Sequence, residues 1–136
     1  MDRLANFLIV WFFGGLGAVA RYGVDLLCRH LGYTGGDWIG FSNMMINVPA
    51  CFLIGIFAGI LWHNTSSPGF RESFALASMT GFCGGFSTFS SYILDILRSV
   101  EQGRFNVWVI FGVLTVVLGL IFCLLGYALG KRLSLR

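Results

Sequence analysis

Long apolar stretches divide this chain into four segments. Charged residues are absent from residues 4–20, 38–62, 73–94 and 105–130, and the first apolar pattern continues past Arg21. A helix needs about 20 mainly apolar residues to cross the hydrocarbon core of a membrane. The pattern therefore predicts one domain of four transmembrane helices, at about residues 4–28, 38–62, 72–100 and 104–131. The connections are short, and the turn residues from Asn64 to Gly69 are typical of one of them.

The composition identifies lipid as the solvent of this chain. Of its 136 residues, 57% are hydrophobic and 11% are charged, and the mean hydropathy is +0.82. A soluble domain carries about 25% charged residues, so a soluble enzyme, a disordered chain and a secreted disulfide scaffold are all excluded. No nucleophile–base pair and no cluster of metal-ligating side chains stands out in the sequence. We therefore expect a membrane protein that is not an enzyme.

Basic residues give only a weak orientation. With four crossings, the two termini and the second loop share one face, which carries five basic residues against three on the other face. The larger set is Arg3, Arg71, Lys131, Arg132 and Arg136, and the smaller set is Arg29, Arg98 and Arg104. One interpretation is a chain with both termini inside the cell. The other is a chain that inserts in both orientations and pairs with an inverted copy of itself.

Small residues recur at the spacing that lets membrane helices pack closely. The GxxxG pairs are Gly55/Gly59, Gly81/Gly85 and Gly126/Gly130, and a further small-residue face follows Gly14 in the first helix. Such residues mark contacts between helices. They predict close packing and carry no information about chemistry.

Ionisable residues occur near the predicted helix ends. Arg21 and Asp25 are four residues apart, so they share a helix face, and we expect them to pair near the interface. The alternative role for Arg21 is to attract anions at a vestibule. Asp95 falls late in the third segment, where a similar end-of-helix position is expected.

Three polar features exceed what helix packing requires. Asn43 and Asn47 share one face of the second helix, which suggests a polar lining. The run from Thr80 to Tyr92 has three glycines within five residues, followed by hydroxyl side chains, so it predicts a helix broken within the membrane. Phe86, Phe89 and Tyr92 recur in this run, and aromatic edges can face an anion. For Phe86 we expect ordinary packing.

These residues together resemble the Fluc (CrcB) family of bacterial fluoride channels, and the resemblance covers nearly the whole chain. The matching stretches are Gly14–Tyr22, Asn47 with Ala50, and, most specifically, Gly81–Ser91. The resemblance implies a passive channel that lets fluoride leave the cell across the inner membrane. It also implies a dual-topology, antiparallel homodimer with two pores and a broken third helix, in an all-α membrane fold.

The resemblance further implies a central Na⁺ held by the backbone carbonyls of Gly84 and Ser87 from both subunits. Together with the shared asparagine face, it gives a candidate ion pathway of eight residues: Arg21, Asn43, Asn47, Phe89, Ser90, Ser91, Tyr92 and Thr115. Five positions depart from the family pattern. Tyr92 replaces a pore Phe and adds an O–H donor, Ser42-Asn43 replaces Gly-Thr, Asp95 replaces Glu, and Gly119 replaces a hydroxyl residue.

Two other functions are compatible with four short helices. A small multidrug-resistance-type, proton-coupled exporter would need a carboxylate near the middle of a crossing, whereas Asp25 and Asp95 lie toward helix ends. A non-transporting assembly subunit would need neither the paired asparagines nor the glycine-broken helix. The sequence therefore favours the fluoride channel.

Overall fold

A computed structural model describes residues 3–33, 35, 38–63 and 66–135 of the chain. The regular elements among these residues are all helices, with no strand. The helices are α1 (Arg3–His30), α2 (Phe41–His63), α3 (Pro68–Ala75), the π-helix π1 (Leu76–Cys83), α4 (Gly84–Phe86), α5 (Ser90–Glu101) and α6 (Phe105–Ser134). Of the positions used above, Asn64, Thr65 and Arg136 lie outside the described residues.

Three helices are long and apolar enough to cross a membrane. They are α1, α2 and α6, with 28, 23 and 30 residues. At about 1.5 Å per residue, even α2 exceeds the roughly 30 Å hydrocarbon core. The segment between α2 and α6 has no single helix of that length, because its helical path is divided between α3, π1, α4 and α5.

Glycine and proline set two of the helix starts. Gly40 has a φ of 92°, which glycine adopts without a Cβ clash, and α2 begins at the next residue. Pro68 begins α3, where its missing N–H has no helical partner to lose. Pro49, in contrast, lies inside α2, which continues through it.

The helices α2 and α6 pack backbone to backbone through glycine. A Cβ added to Gly55 would overlap the carbonyl oxygen of Cys123, and a Cβ added to Gly130 would overlap that of Ile56. Gly59 and Gly126 make equivalent contacts, against Tyr127 and Phe52. Because Gly55 and Gly59 meet Cys123 and Tyr127 in the same order, α2 and α6 run parallel. Both GxxxG pairs therefore lie in one interface.

A second close pair joins α1 to the π1–α4 stretch. A Cβ on Gly17 would overlap the carbonyl oxygen of Phe82, and one on Gly85 would overlap that of Gly14. Near the starts of α1 and α3, Asn6 Nδ2 donates to Glu72 Oε1 (3.0 Å). This order of contacts makes α1 parallel to the stretch from α3 to α4. The third GxxxG pair, Gly81/Gly85, thus packs against α1.

The α2–α6 pair and the pair formed by α1 and the π1–α4 stretch meet at a small buried core. Ile46, Ala50 and Phe86 form its centre, with Ala20, Val24 and Phe82 packed against it. Phe86 is 7% exposed, so it serves packing as expected. Most other large apolar side chains, such as Trp11 and Leu120, are exposed on the helix surfaces, where lipid can cover them.

Candidate functional site

The helical path stops between α4 and α5, in the hydroxyl-rich run. The backbone at Ser87 is extended (φ −73°, ψ 158°), and α5 begins three residues later at Ser90. The Ser87 hydroxyl donates to the Cys83 carbonyl (2.8 Å), and the Ser91 N–H donates to the Thr88 hydroxyl (3.3 Å). The Ser87 hydroxyl thus adds to the backbone bond from the Ser87 N–H to the same carbonyl (2.9 Å), whereas the Thr88 hydroxyl replaces a backbone acceptor at the start of α5. We call residues 87–89 the break.

Asn47 of α2 clamps the centre of the break. Its Nδ2 donates to the Thr88 carbonyl (3.0 Å), and the Thr88 N–H donates to its Oδ1 (2.9 Å). Thr88 is 7% exposed, so these backbone groups depend on the asparagine rather than on water. The sequence singled out Asn47 but not Thr88, because the need for a partner at Thr88 arises only once the helix stops there.

The carbonyls of Gly84 and Ser87 are among those that the break leaves without their usual helical donors. In a continuous α-helix, the Gly84 carbonyl would accept from Thr88 and the Ser87 carbonyl from Ser91. Here the Thr88 N–H bonds to Asn47 and the Ser91 N–H bonds to the Thr88 hydroxyl. Gly84 itself is exposed. The resemblance described above predicts these two carbonyls as Na⁺ ligands.

Asn43, one turn before Asn47, reaches α5 through a carboxylate. Its Nδ2 donates to Asp95 Oδ2 (2.5 Å), and Asp95 Oδ1 accepts from Arg98 (3.3 Å). Asp95 lies in the middle of α5 and faces α2, and it falls late in the predicted third segment. Both asparagines make interhelical hydrogen bonds, and both hold the same segment.

A cavity of about 750 Å³ opens between α1, α2, α5 and the α1–α2 connection. It brings together four of the predicted pathway residues: Arg21, Asn43, Ser90 and Ser91. Four others lie outside its lining: Asn47, Phe89, Tyr92 and Thr115. Thr88 also lines the cavity, which therefore reaches the break.

The charges around the cavity leave one cation without a carboxylate. Asp25 pairs with Arg29 (2.7 Å), so the predicted Arg21–Asp25 pair is wrong. Both spacings are i,i+4, and the order with the acid on the N-terminal side is the favourable one. Within the described part of the chain, no carboxylate lies within ion-pair distance of Arg21. The lining therefore holds three arginines against two aspartates, counting Arg98 with Asp95.

The predicted aromatic and α6 residues show two different arrangements. The rings of Phe89 and Tyr92 are 6.0 Å apart at 33°, and Phe89 is 75% exposed. The Tyr92 hydroxyl donates to the Gly112 carbonyl (3.1 Å), which sequence reasoning could not anticipate. Thr115 is 8% exposed and donates to the Phe111 carbonyl (2.6 Å). Its hydroxyl is thus turned onto its own helix.

Comparison with known proteins identifies the family. The family described as CrcB-like protein, Camphor Resistance (CrcB), matches residues 8–127. The chain is 32% identical over 129 residues to "Fluoride-specific ion channel FluC 2" of Nitrobacter hamburgensis, covering 95% of this chain and 99% of that protein. It is 34% identical over 130 residues to "Fluoride-specific ion channel FluC" of Acidobacterium capsulatum, covering 94% and 98%. Because the match extends over nearly the whole chain, this protein belongs to the CrcB family.

Proposed function

We propose that this chain forms a passive, fluoride-selective channel in the inner membrane of a bacterium and lets accumulated fluoride leave the cell. The observation that carries the proposal is the chemistry at the break, where hydroxyl, amide and aromatic groups converge. Fluoride holds water tightly, so a pore must replace that water with donors and still release the ion. The relatives named above are called fluoride-specific channels, in agreement with this ion.

We propose that residues 68–101 make one interrupted crossing. Because α2 and α6 run parallel, the chain between them must return to the starting side of the membrane. The stretch from Pro68 to Phe86 has 19 residues, or about 28 Å of helix at 1.5 Å per residue. With α5 added, the segment is long enough to cross. Its interruption is compatible with a membrane only where protein or a polar cavity covers it.

The proposed ion route begins in the cavity. Arg21, which has no carboxylate partner among the described residues, raises the local concentration of anions there. From this point the ion is passed to neutral donors and then to ring edges, which carry partial positive charge. The groups assigned to this route, in addition to Arg21, are Asn43, Asn47, Ser90, Ser91, Phe89, Tyr92 and Thr115. No fixed cation holds the ion beyond the cavity, which favours its release.

Proton-coupled export by a multidrug-resistance-type mechanism is less well supported. Such a mechanism needs a carboxylate that is free to exchange a proton and a cationic substrate. Asp25 pairs with Arg29, and Asp95 bonds to both Asn43 and Arg98. Both carboxylates therefore already have polar partners within the chain.

Purified protein in fluoride-loaded liposomes is expected to release fluoride rapidly and to retain chloride. We expect selectivity for fluoride over chloride because only the smaller anion can approach the donors closely enough to form short, strong hydrogen bonds. Efflux is measured with ion-selective electrodes after an ionophore relieves the electrical potential. Protein-free liposomes control for leakage of hydrogen fluoride. Equal rates for the two anions, or no fluoride release, would exclude the proposed function.

We also propose that two inverted copies form the working channel, with Na⁺ between them at Gly84 and Ser87. The proposal is supported by the two carbonyls that lack helical donors and by the exposure of Thr80 and Gly84 beside them. In lipid, such groups need a partner other than water. A second copy placed over this face would cover them, and the nearly balanced basic residues permit its inversion.

Cross-linking can distinguish an inverted pair from a parallel one. In a cysteine-free background, Thr80→Cys is expected to cross-link to its own copy, because mid-depth residues meet near the twofold axis of an inverted dimer. Gly69→Cys, on the same segment but at its outer end, is expected to remain uncross-linked. Efficient self-cross-linking at both positions would indicate parallel subunits.

Sodium is tested on the same preparation. Purification in N-methylglucamine instead of Na⁺ is expected to lower the thermal midpoint of the dimer, and added Na⁺ restores it, because a ligand that binds only the folded state stabilises it by mass action. An identical midpoint in the two buffers would show that no Na⁺ contributes.

A further inference from the structure

The Tyr92 hydroxyl connects two helices that otherwise touch little. It donates from α5 to the carbonyl of Gly112 in α6, with 3.1 Å between the two oxygens. Gly112 is buried, and its carbonyl has a second lone pair beyond the one used within the helix. The intrachain packing of α5 is mainly against α6. This hydrogen bond therefore ties the aromatic part of α5 to α6, whereas Asp95, further along α5, bonds to Asn43 of α2.

The same hydrogen bond decides which part of Tyr92 an anion could meet. A tyrosine hydroxyl has one proton to donate, and here that proton is directed to Gly112. The remaining lone pairs of the oxygen repel an anion. The ring edge is left as the attractive surface, next to the exposed ring of Phe89 at 6.0 Å.

We propose that Tyr92 is a positioning residue whose hydroxyl restrains the Phe89–Tyr92 ring pair and slows ion passage. The inference rests on the proposed function, in which this ring pair borders the path of fluoride. An ion that passes the rings must displace them, and each displacement of Tyr92 strains or breaks its bond to Gly112. The hydrogen bond of Tyr92 thus slows the passage of fluoride, whereas a phenylalanine at this position would lack that restraint.

Tyr92→Phe removes the hydroxyl and keeps the ring. Fluoride efflux is expected to increase about fivefold, which corresponds to about 1 kcal/mol of barrier, and the preference for fluoride over chloride is expected to stay the same. Tyr127→Phe is the matched control: it removes the same atom from α6, where the ring packs on Trp62 and His63. Its efflux rate is expected to equal that of the wild type.

The direction of the change separates the two roles of the hydroxyl. If the hydroxyl were a ligand of the ion, Tyr92→Phe would slow fluoride, and that result, like an unchanged rate, would overturn the proposal. If the wild-type protein carries no fluoride, the proposed function fails instead. The tether is then tested alone, by ultraviolet resonance Raman difference spectra of wild type and Tyr92→Phe. A difference spectrum typical of a tyrosine that donates a hydrogen bond supports the bond from Tyr92 to Gly112. A spectrum typical of a tyrosine in water contradicts it.

Discussion

Asn47→Asp is expected to reduce fluoride efflux by about a thousandfold. The new carboxylate can still accept from the Thr88 N–H, but it can no longer donate to the Thr88 carbonyl. It also places a negative charge beside the proposed anion path. At about 4 Å and an effective dielectric constant near 20, two like charges repel by about 4 kcal/mol. Efflux from liposomes measures the loss directly.

Asn106→Asp is the matched control for this variant. It makes the same change at an exposed position near the start of α6 and is expected to leave efflux unchanged. Light scattering in detergent establishes that both variants keep the oligomeric state of the wild type. If Asn47→Asp conducts as well as Asn106→Asp while both proteins stay assembled, Asn47 does not belong to the ion pathway.

Gly126→Ala is expected to destabilise the fold by about 3 kcal/mol. A single added methyl group would overlap the Phe52 carbonyl, because α2 and α6 are in backbone contact there. The backbone atom cannot rotate away as a side chain could, so the two helices must separate along the interface. Thermal unfolding in detergent, followed by circular dichroism, measures the change.

Gly69→Ala is the control of opposite sign. Nothing lies within 4 Å of a Cβ added at Gly69, at the exposed start of α3. Alanine there stabilises the helix by up to about 1 kcal/mol, since it restricts the unfolded chain. Equal thermal midpoints for Gly126→Ala and Gly69→Ala would contradict the close α2–α6 contact.

Features that depend on local sequence were predictable. Hydropathy and segment length need no knowledge of neighbours, so the apolar helices α1, α2 and α6 could be read from the chain. Glycine spacing likewise predicted close packing, which the contacts of Gly55 and Gly130 confirm. What glycine spacing could not give was the partner of each face, because any small-residue face can pack against any other.

Features that depend on distant partners were not predictable. The hydrogen bonds from Asn43 to Asp95 and from Tyr92 to Gly112 join different helices, and no spacing in the sequence pairs these residues. The π-helical course of Leu76–Cys83 and the back-turned hydroxyl of Thr115 also have no distinct sequence pattern. In each case several arrangements of similar local energy compete, and packing against another helix decides between them.

The sequence by itself determined that lipid is the solvent of this protein, and it located the hydroxyl-rich run in which the helical path stops. These properties follow from composition and from the order of residues along one segment. The tertiary structure alone decided how that run is completed. Asn47 meets Thr88 across 41 positions, Asn43 meets Asp95 across 52, and Tyr92 meets Gly112 across 20. Polar groups that lipid cannot satisfy must find such partners within the protein, and only the packing of the helices brings them within hydrogen-bond distance.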